Sequence, residues 1–199
     1  MDFELLYGIV KIILIATTPL VFAGIGELVT EKSGVLNLGV EGMMLVGAVT
    51  AFVTLVITGN YILAFTFSVL SGVIMSSLFA FLVLILMSNQ IATGLALTIF
   101  GIGLSSMIGK NYIGTPIEGL SPWFFVIFSF VIVFFISYFF YKTKAGLILR
   151  AVGESHNSAH ALGYSVLKIR FCSIIFGGAI GNFWYSINEV NMLGNVRTP

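Results

Sequence analysis

Six runs of apolar residues, each long enough to form a helix that crosses a lipid bilayer, dominate this chain of 199 residues. A crossing helix needs about 20 predominantly apolar residues. The runs cover residues 5–26, 35–58, 61–87, 91–109, 123–141 and 171–188. Charged residues make up only 9% of the chain, against about 25% in a soluble domain, so they are too few to cover a water-facing surface. We therefore predict an all-α, polytopic helical bundle of about six transmembrane helices, forming a single domain over residues 1–199.

The positive charge is concentrated between the fifth and sixth runs. Residues 142–170 hold five of the nine Lys and Arg residues: Lys142, Lys144, Arg150, Lys168 and Arg170. An excess of Lys and Arg keeps a loop on the cytoplasmic side of the membrane. Counting outward from this cytoplasmic loop places segments 27–34 and 88–90 inside as well, and the N-terminus outside.

The basic segment also contains helix signals. Ser155 is a typical N-cap residue, and Gly163 is typical of the position that ends a helix. We therefore predict one short helix across the inner mouth of the bundle. A basic interfacial helix held by anionic lipid is the alternative.

Motifs for catalysis and for metal binding are missing from the sequence. His156 and His160 have the four-residue spacing of a helical metal pair, but only Glu154 is near enough to serve as a third ligand. The sequence contains no phosphate-binding loop, nucleophile elbow or zinc-protease motif. We predict no enzyme activity, no metal site and no cofactor, and the net charge of +1 gives no reason to expect nucleic acid as a partner.

Glu41 is the most conspicuous polar residue in the second run, because a carboxylate is costly in hydrocarbon. It either lines a polar pathway or ties down an irregular helix start by accepting backbone N–H bonds. Gly34, Asn37, Gly39 and Gly42 are turn and cap formers, and they favour the second interpretation. They also leave open a broken or re-entrant element in place of a simple crossing.

Small residues recur at four-residue spacing on three runs. Such spacing lets helix backbones approach closely in lipid. The sets are Ser68, Gly72 and Ser76 in the third run, Gly101, Ser105 and Gly109 in the fourth, and Gly177 and Gly181 in the sixth.

Three stretches together resemble one family. Residues 31–44, Glu-Lys-Ser-Gly-Val-Leu-Asn-Leu-Gly-Val-Glu-Gly-Met-Met, closely resemble the E-R-S-G-V-x-N-I-G-L-E-G-M-M motif of ABC-transporter permeases of the branched-chain amino acid/ribose superfamily, especially the nucleoside-uptake branch. Residues 149–163 resemble its cytoplasmic L-R-A-V-G-E-N-P-x-A-A-x-x-x-G segment. Residues 94–97, Gly-Leu-Ala-Leu, are similar to its S-G-L-A-L-N stretch. The resemblance covers about residues 20–190.

The resemblance implies a multi-pass permease subunit of an ABC importer in the bacterial cytoplasmic membrane, with a nucleoside or a related sugar-containing solute. Its implied partners are a second permease subunit, a cytoplasmic ABC ATPase and an extracytoplasmic solute-binding protein, besides the lipid bilayer. Segment 142–170 would be the cytoplasmic coupling loop, with a coupling helix that docks on the ATPase.

The resemblance also implies roles for particular residues. The ATPase-coupling set is Arg150, Gly153, Glu154, Ala159 and Gly163. The motif and pathway set is Ser33, Gly34, Asn37, Gly39, Glu41 and Gly42. Thr98 and Asn182 are the polar residues expected to line the solute pocket.

The chain departs from the family in length, because members run to about 300 residues whereas this chain ends at Pro199. We therefore expect it to be C-terminally truncated. A non-transporting membrane scaffold or pseudo-subunit is the alternative function. An integral membrane enzyme is a third reading, disfavoured by the scarcity of catalytic groups.

Overall fold

The computed structural model describes residues 3–112, 115 and 122–195, with only the backbone described for residues 3, 122, 124, 125 and 183–195. The described part consists of helices joined by short turns. The α-helices are α1 (Phe3–Lys32), α2 (Val40–Thr58), α3 (Tyr61–Ala80), α4 (Gln90–Gly109), α5 (Pro122–Lys142), α6 (Lys144–Glu154), α7 (His156–Ala161) and α8 (Val166–Asn195). A π-helical turn, Phe81–Ile85, extends α3, and a 3₁₀ turn, Lys110–Tyr112, extends α4.

The prediction of an all-α polytopic membrane bundle is confirmed, whereas the count of about six spans is not. In the described part of the chain, four helices are long and apolar enough to cross a membrane: Glu4–Lys32, Val40–Thr58, Tyr61–Ile85 and Gln90–Tyr112. A fifth span is reached if Val126–Lys142 and Lys144–Glu154, which meet at a 75° bend, count as one. The second run crosses as one continuous helix, α2, and its irregular part is confined to the residues before Val40.

α8 lies at the centre of the bundle, packed against α1, α2 and α3, while α4 packs on α2 and α5 on α1. Small residues make these approaches close. A Cβ atom added to Gly178 would lie 2.5 Å from the Cβ of Ser76, and one added to Gly26 would lie 2.6 Å from the carbonyl oxygen of Gly177. Backbones this close need residues without bulky side chains, as the four-residue spacing on the third and sixth runs predicts.

Asparagine caps set the starts of α3 and α4. The side chain of Asn60 accepts the Ile62 N–H at 2.9 Å, and that of Asn89 accepts the Ile91 N–H at 3.0 Å. Each cap satisfies backbone donors that the first helical turn leaves unpaired. The sharp turns that result bring residues 33–39, the turn before α4 and the α6–α7 pair to one end of the bundle. The predicted side assignment requires the same arrangement.

The basic segment contains more helix than predicted. Its residues form α6 and α7 and the beginning of α8, so the expectation of a single short helix is wrong in number. Thr143 explains the missed helix, because its hydroxyl donates to the Phe139 carbonyl at 2.7 Å and accepts the Gly146 N–H at 3.1 Å. It thereby closes α5 and caps α6. The prediction for α7 is confirmed at both ends, where Ser155 is the N-cap and Gly163 follows with φ +84°.

Candidate functional site

The connection between α1 and α2, residues 33–39, is the most densely tied irregular segment in the described structure; we call it the α1–α2 corner. α1 ends at Lys32, and the chain turns away from the helix at Gly34, which has φ +84°. The Gly34 N–H donates to the Glu31 carbonyl at 2.8 Å, and the Val35 N–H donates to the Thr30 carbonyl at 3.4 Å. These two bonds form a Schellman motif, which requires the left-handed conformation that glycine adopts readily.

Two charged side chains hold the corner from different helices. Arg170, in the second turn of α8, donates from Nε to the Ser33 carbonyl at 3.0 Å. Glu27, in the last part of α1, accepts the Asn37 N–H on Oε1 at 3.0 Å. Its second oxygen, Oε2, is buried and has no hydrogen-bond partner in the described structure. The corner is therefore fixed to α8 and to α1 by charge-assisted hydrogen bonds.

α4 holds the same segment from the other side. Gln90 accepts the Leu36 N–H on Oε1 at 2.9 Å, and the Thr98 hydroxyl donates to the Leu38 carbonyl at 3.0 Å. Asn37 completes the corner from within, since its side-chain oxygen accepts the Gly39 N–H at 3.0 Å. Each of these bonds pairs a backbone group of the irregular segment that no helix ladder satisfies.

Glycines bring α4 against the corner and α2. A Cβ atom on Gly94 would lie 2.9 Å from the Leu38 nitrogen, and one on Gly42 would lie 2.5 Å from the Cα of Thr98. Gly101 also packs on α2, because a Cβ atom at position 101 would collide with the backbone carbonyl of Gly42. The Gly94–Leu97 stretch and the 31–44 motif, separated by about fifty residues of sequence, thus form one packed unit.

The third motif joins them through α6. Gly153 has no room for a side chain, because a Cβ atom there would collide with the Lys32 carbonyl and would lie 3.3 Å from the Gly34 nitrogen. A Cβ atom on Gly34 would in turn lie 2.9 Å from an Arg170 guanidinium nitrogen and 3.3 Å from the Cα of Gly153. All three stretches that carried the family resemblance therefore meet at the α1–α2 corner.

The other predicted coupling residues have different surroundings. Ala159 is buried together with Val152 and Val166, so that α6, α7 and the start of α8 share one small core. Glu154 and Gly163 are exposed. The Arg150 guanidinium lies over the Tyr141 ring, 5.3 Å from its centroid, and its Nε has no hydrogen-bond partner among the described residues.

Glu41 does not tie down the corner; Glu27 does. Glu41 is exposed in the first turn of α2, where a negative charge interacts favourably with the helix dipole. Arg170 and Gln90 also hold the corner, although neither was predicted as a site residue. Glu27 and Gln90 lie at the edges of apolar runs, a position typical of interfacial residues, and only the fold brings them to a backbone 10 and 54 residues away.

The two predicted solute-lining residues hold helices together in this conformation. Asn182 is fully buried, and its side chain fills the space that a Cβ atom on Gly47 or Gly72 would occupy. Its backbone carbonyl accepts the Ser68 hydroxyl at 3.0 Å, while both polar side-chain atoms lack a hydrogen-bond partner in the described structure. Thr98 is half-buried and bonded to the corner. Their role in solute binding stays a prediction.

An apolar groove of about 820 Å³ lies between α1, α5, α6 and α8. Phe135, Phe139, Ile148 and Phe176 form much of its wall, with Lys168 and Cys172 at its edge. A wall of this kind offers few hydrogen bonds to a polar solute, and neither Thr98 nor Asn182 is among the residues that line it. The described residues also contain no cluster of three metal-ligating side chains.

Curated relatives of this chain are ABC transporter permeases. TsgC13 of Haloferax volcanii, for which glucose is the suggested solute, is 37% identical over 194 residues, which cover 86% of this chain and 59% of TsgC13. The nucleoside permease NupC of Lactococcus lactis is 28% identical over 94% of this chain and 68% of its own length. The guanosine permease NupQ of Bacillus subtilis is 26% identical over 89% of this chain and 66% of its own length.

The chain thus spans roughly three fifths to two thirds of the length of these relatives. No solved structure matches it. A family described as branched-chain amino acid transport system / permease component matches residues 9–183. That match covers most of the chain and includes all three stretches that meet at the corner. The chain therefore belongs to this family of transport permeases, which are not enzymes, and it is a multi-pass protein of the cytoplasmic membrane.

Proposed function

We propose that this chain forms the permease subunit of an ABC importer for nucleosides or a related sugar-containing solute, driven by a separate ATPase. The observation that carries the proposal is the contact of Gly153 with the α1–α2 corner. Through it, the basic α6–α7 segment, which the charge pattern assigns to the cytoplasm, rests directly on the start of the membrane-embedded helices. A force applied to α7 from the cytoplasm would reach those helices without passing through a flexible loop.

The docking surface for the ATPase would be the exposed part of α6 and α7. Ala159 is internal, and Gly163 ends α7, so the groups offered outward include Glu154, His156 and Leu162. Leu162 is 73% exposed within the basic segment, where an exposed apolar side chain suits a protein partner. ATP binding would drive the permease between outward-open and inward-open states only if the ATPase contacts α7 differently in the two states.

The solute class is proposed from the relatives. Their names refer to nucleosides, guanosine and glucose, and a sugar ring is common to all three. A second permease subunit would complete the pathway, and an extracytoplasmic binding protein would deliver the solute. Thr98 and Asn182 are the polar residues of this chain proposed to contact it. Asn182 would supply a donor and an acceptor that have no partner in the present packing.

Uptake by the complete transporter tests this function. The chain would be expressed with the ATPase, second permease and binding protein of its operon, in cells that lack their own nucleoside and glucose uptake. We expect ATP-dependent uptake of radiolabelled uridine, adenosine or guanosine, and we expect glucose uptake only if the solute class is wider. An assembled complex that transports none of these would contradict the proposal and favour a non-transporting scaffold.

A pair of matched variants tests the docking surface. Leu162→Asp places a charge directly after α7, whereas Ile62→Asp changes an equally exposed residue, 72% against 73%, near the opposite end of the bundle. We expect Leu162→Asp alone to abolish co-purification of the ATPase, with both variants inserted into the membrane. Equal co-purification of the two variants would show that α7 is not the docking site.

A further inference from the structure

The ends of α6, α7 and α8 that face the corner form one compact body. Val152 of α6, Ala159 of α7 and Val166 of α8 are all buried against one another. Only residues 162–165 connect α7 to α8, and Arg170 lies one turn beyond Val166. A displacement of α7 therefore moves Arg170 with it, because packed side chains and a short connection leave little room for independent motion.

This body touches the α1–α2 corner at two points on either side of one residue, Gly34. Gly153 meets the corner by backbone contact alone, at the Lys32 carbonyl and the Gly34 nitrogen. Arg170 meets it by a directed hydrogen bond, from Nε to the Ser33 carbonyl at 3.0 Å. The van der Waals contact of Gly153 resists only approach of α6 to the corner, whereas a hydrogen bond also resists separation. Arg170 is therefore the contact through which α8 can pull on the corner.

The acceptor of this bond is suited to a cation. Ser33 follows the last residue of α1, and its carbonyl is one of the groups that a helix C-terminus leaves without an intrahelical partner. The negative end of the helix dipole lies at the same place. From the corner, Gln90 and Thr98 carry any movement on to α4 through their bonds to Leu36 and Leu38.

We propose that Arg170 is a positioning residue that couples the ATPase-docking helices to the α1–α2 corner, so that ATP-driven movement of α6 and α7 pulls on α1 and α4. The inference deepens the proposed function and rests on it. A guanidinium is required because its planar group holds a fixed donor direction, whereas a lysine ammonium does not.

The test is the number of ATP molecules hydrolysed per solute taken up, measured on the complete transporter reconstituted in proteoliposomes. Arg170→Gln should retain ATP hydrolysis within about twofold of the unmodified transporter while uptake falls about tenfold, as expected for the loss of one charge-assisted hydrogen bond. Lys168→Gln removes a charge one half-turn earlier on α8, at an exposed site, and should leave the ratio unchanged.

Arg170→Lys serves as the second variant, because it keeps the charge and spares assembly if Arg170→Gln fails to form a complex. It should show an intermediate ratio. An unchanged ratio in these Arg170 variants, or an equal fall of hydrolysis and uptake, would overturn the proposal and leave Arg170 a purely structural residue. An unmodified complex that hydrolyses ATP without uptake would instead contradict the proposed function itself.

Discussion

At the scale of single residues, the site depends on glycines, whose missing Cβ atoms allow close backbone contact, as much as on polar side chains. Gly34, Gly42, Gly94 and Gly153 allow three separate segments to meet within backbone contact. Gly34 and Gly59 both have a positive φ but differ in surroundings, since Gly34 is crowded and Gly59, with φ +64°, has nothing within 4 Å. Substituting each glycine in turn therefore separates the free-energy cost of a positive φ from the cost of steric crowding.

We expect Gly34→Ala to destabilise the protein much more than Gly59→Ala. Both variants place a Cβ atom in a left-handed conformation, at a cost of about 1–2 kcal/mol. Only Gly34→Ala must also displace the Arg170 guanidinium, 2.9 Å from the new atom. Thermal unfolding in detergent measures the difference, and equal losses in Tm would show that the corner is not tightly packed against α8.

Glu27 offers a second residue-scale test, because it pairs only one of its two carboxylate oxygens with a protein donor in the described structure. Glu27→Gln keeps an acceptor for the Asn37 N–H and removes the cost of a buried charge. We expect it to melt at or above the temperature of the unmodified protein. Glu27→Ala should lose about 1–3 kcal/mol, since it leaves a buried donor unpaired. A Gln variant as unstable as the Ala variant would show that the charge itself is needed.

At the scale of helices, the sequence predicts α1 to α5 because long apolar runs are local signals. It predicts α7 for the same reason, from Ser155 and Gly163. α6 was missed because its start is set by Thr143, a residue that also ends α5. The sequence has no proline or glycine at position 143 that would mark the 75° bend between α5 and α6. The tethers Glu27, Gln90 and Arg170 were missed because only the packing of distant helices brings them to the corner.

Thr143 can be tested by hydrogen exchange. Thr143→Ala removes both the bond to the Phe139 carbonyl and the cap on Gly146, whereas Thr143→Ser retains a hydroxyl in position to make both. Loss of an N-cap costs about 1 kcal/mol, so amides of residues 144–147 should exchange about fivefold faster in the Ala variant. Unchanged exchange in that variant would mean that packing of Leu149 and Val152, and not the cap, defines α6.

At the scale of the whole molecule, one end of the bundle carries the family motifs, the basic segment and the corner, while the opposite end carries the Gly59–Asn60 turn. The charge pattern assigns the first end to the cytoplasm. With this orientation, α6 and α7 are the helices that a cytoplasmic partner would contact. The orientation and the partner together form the central claim.

Cysteine accessibility tests that claim most directly. Cys172 is exposed, so it is first replaced by serine, and single cysteines are introduced at Asn157 on α7 and at Thr58 at the opposite end. We predict that a membrane-impermeant maleimide labels position 157 only in inside-out vesicles, that bound ATPase protects it, and that position 58 is labelled only in intact cells. Labelling of position 157 from outside intact cells, or equal labelling with and without the ATPase, would contradict the account.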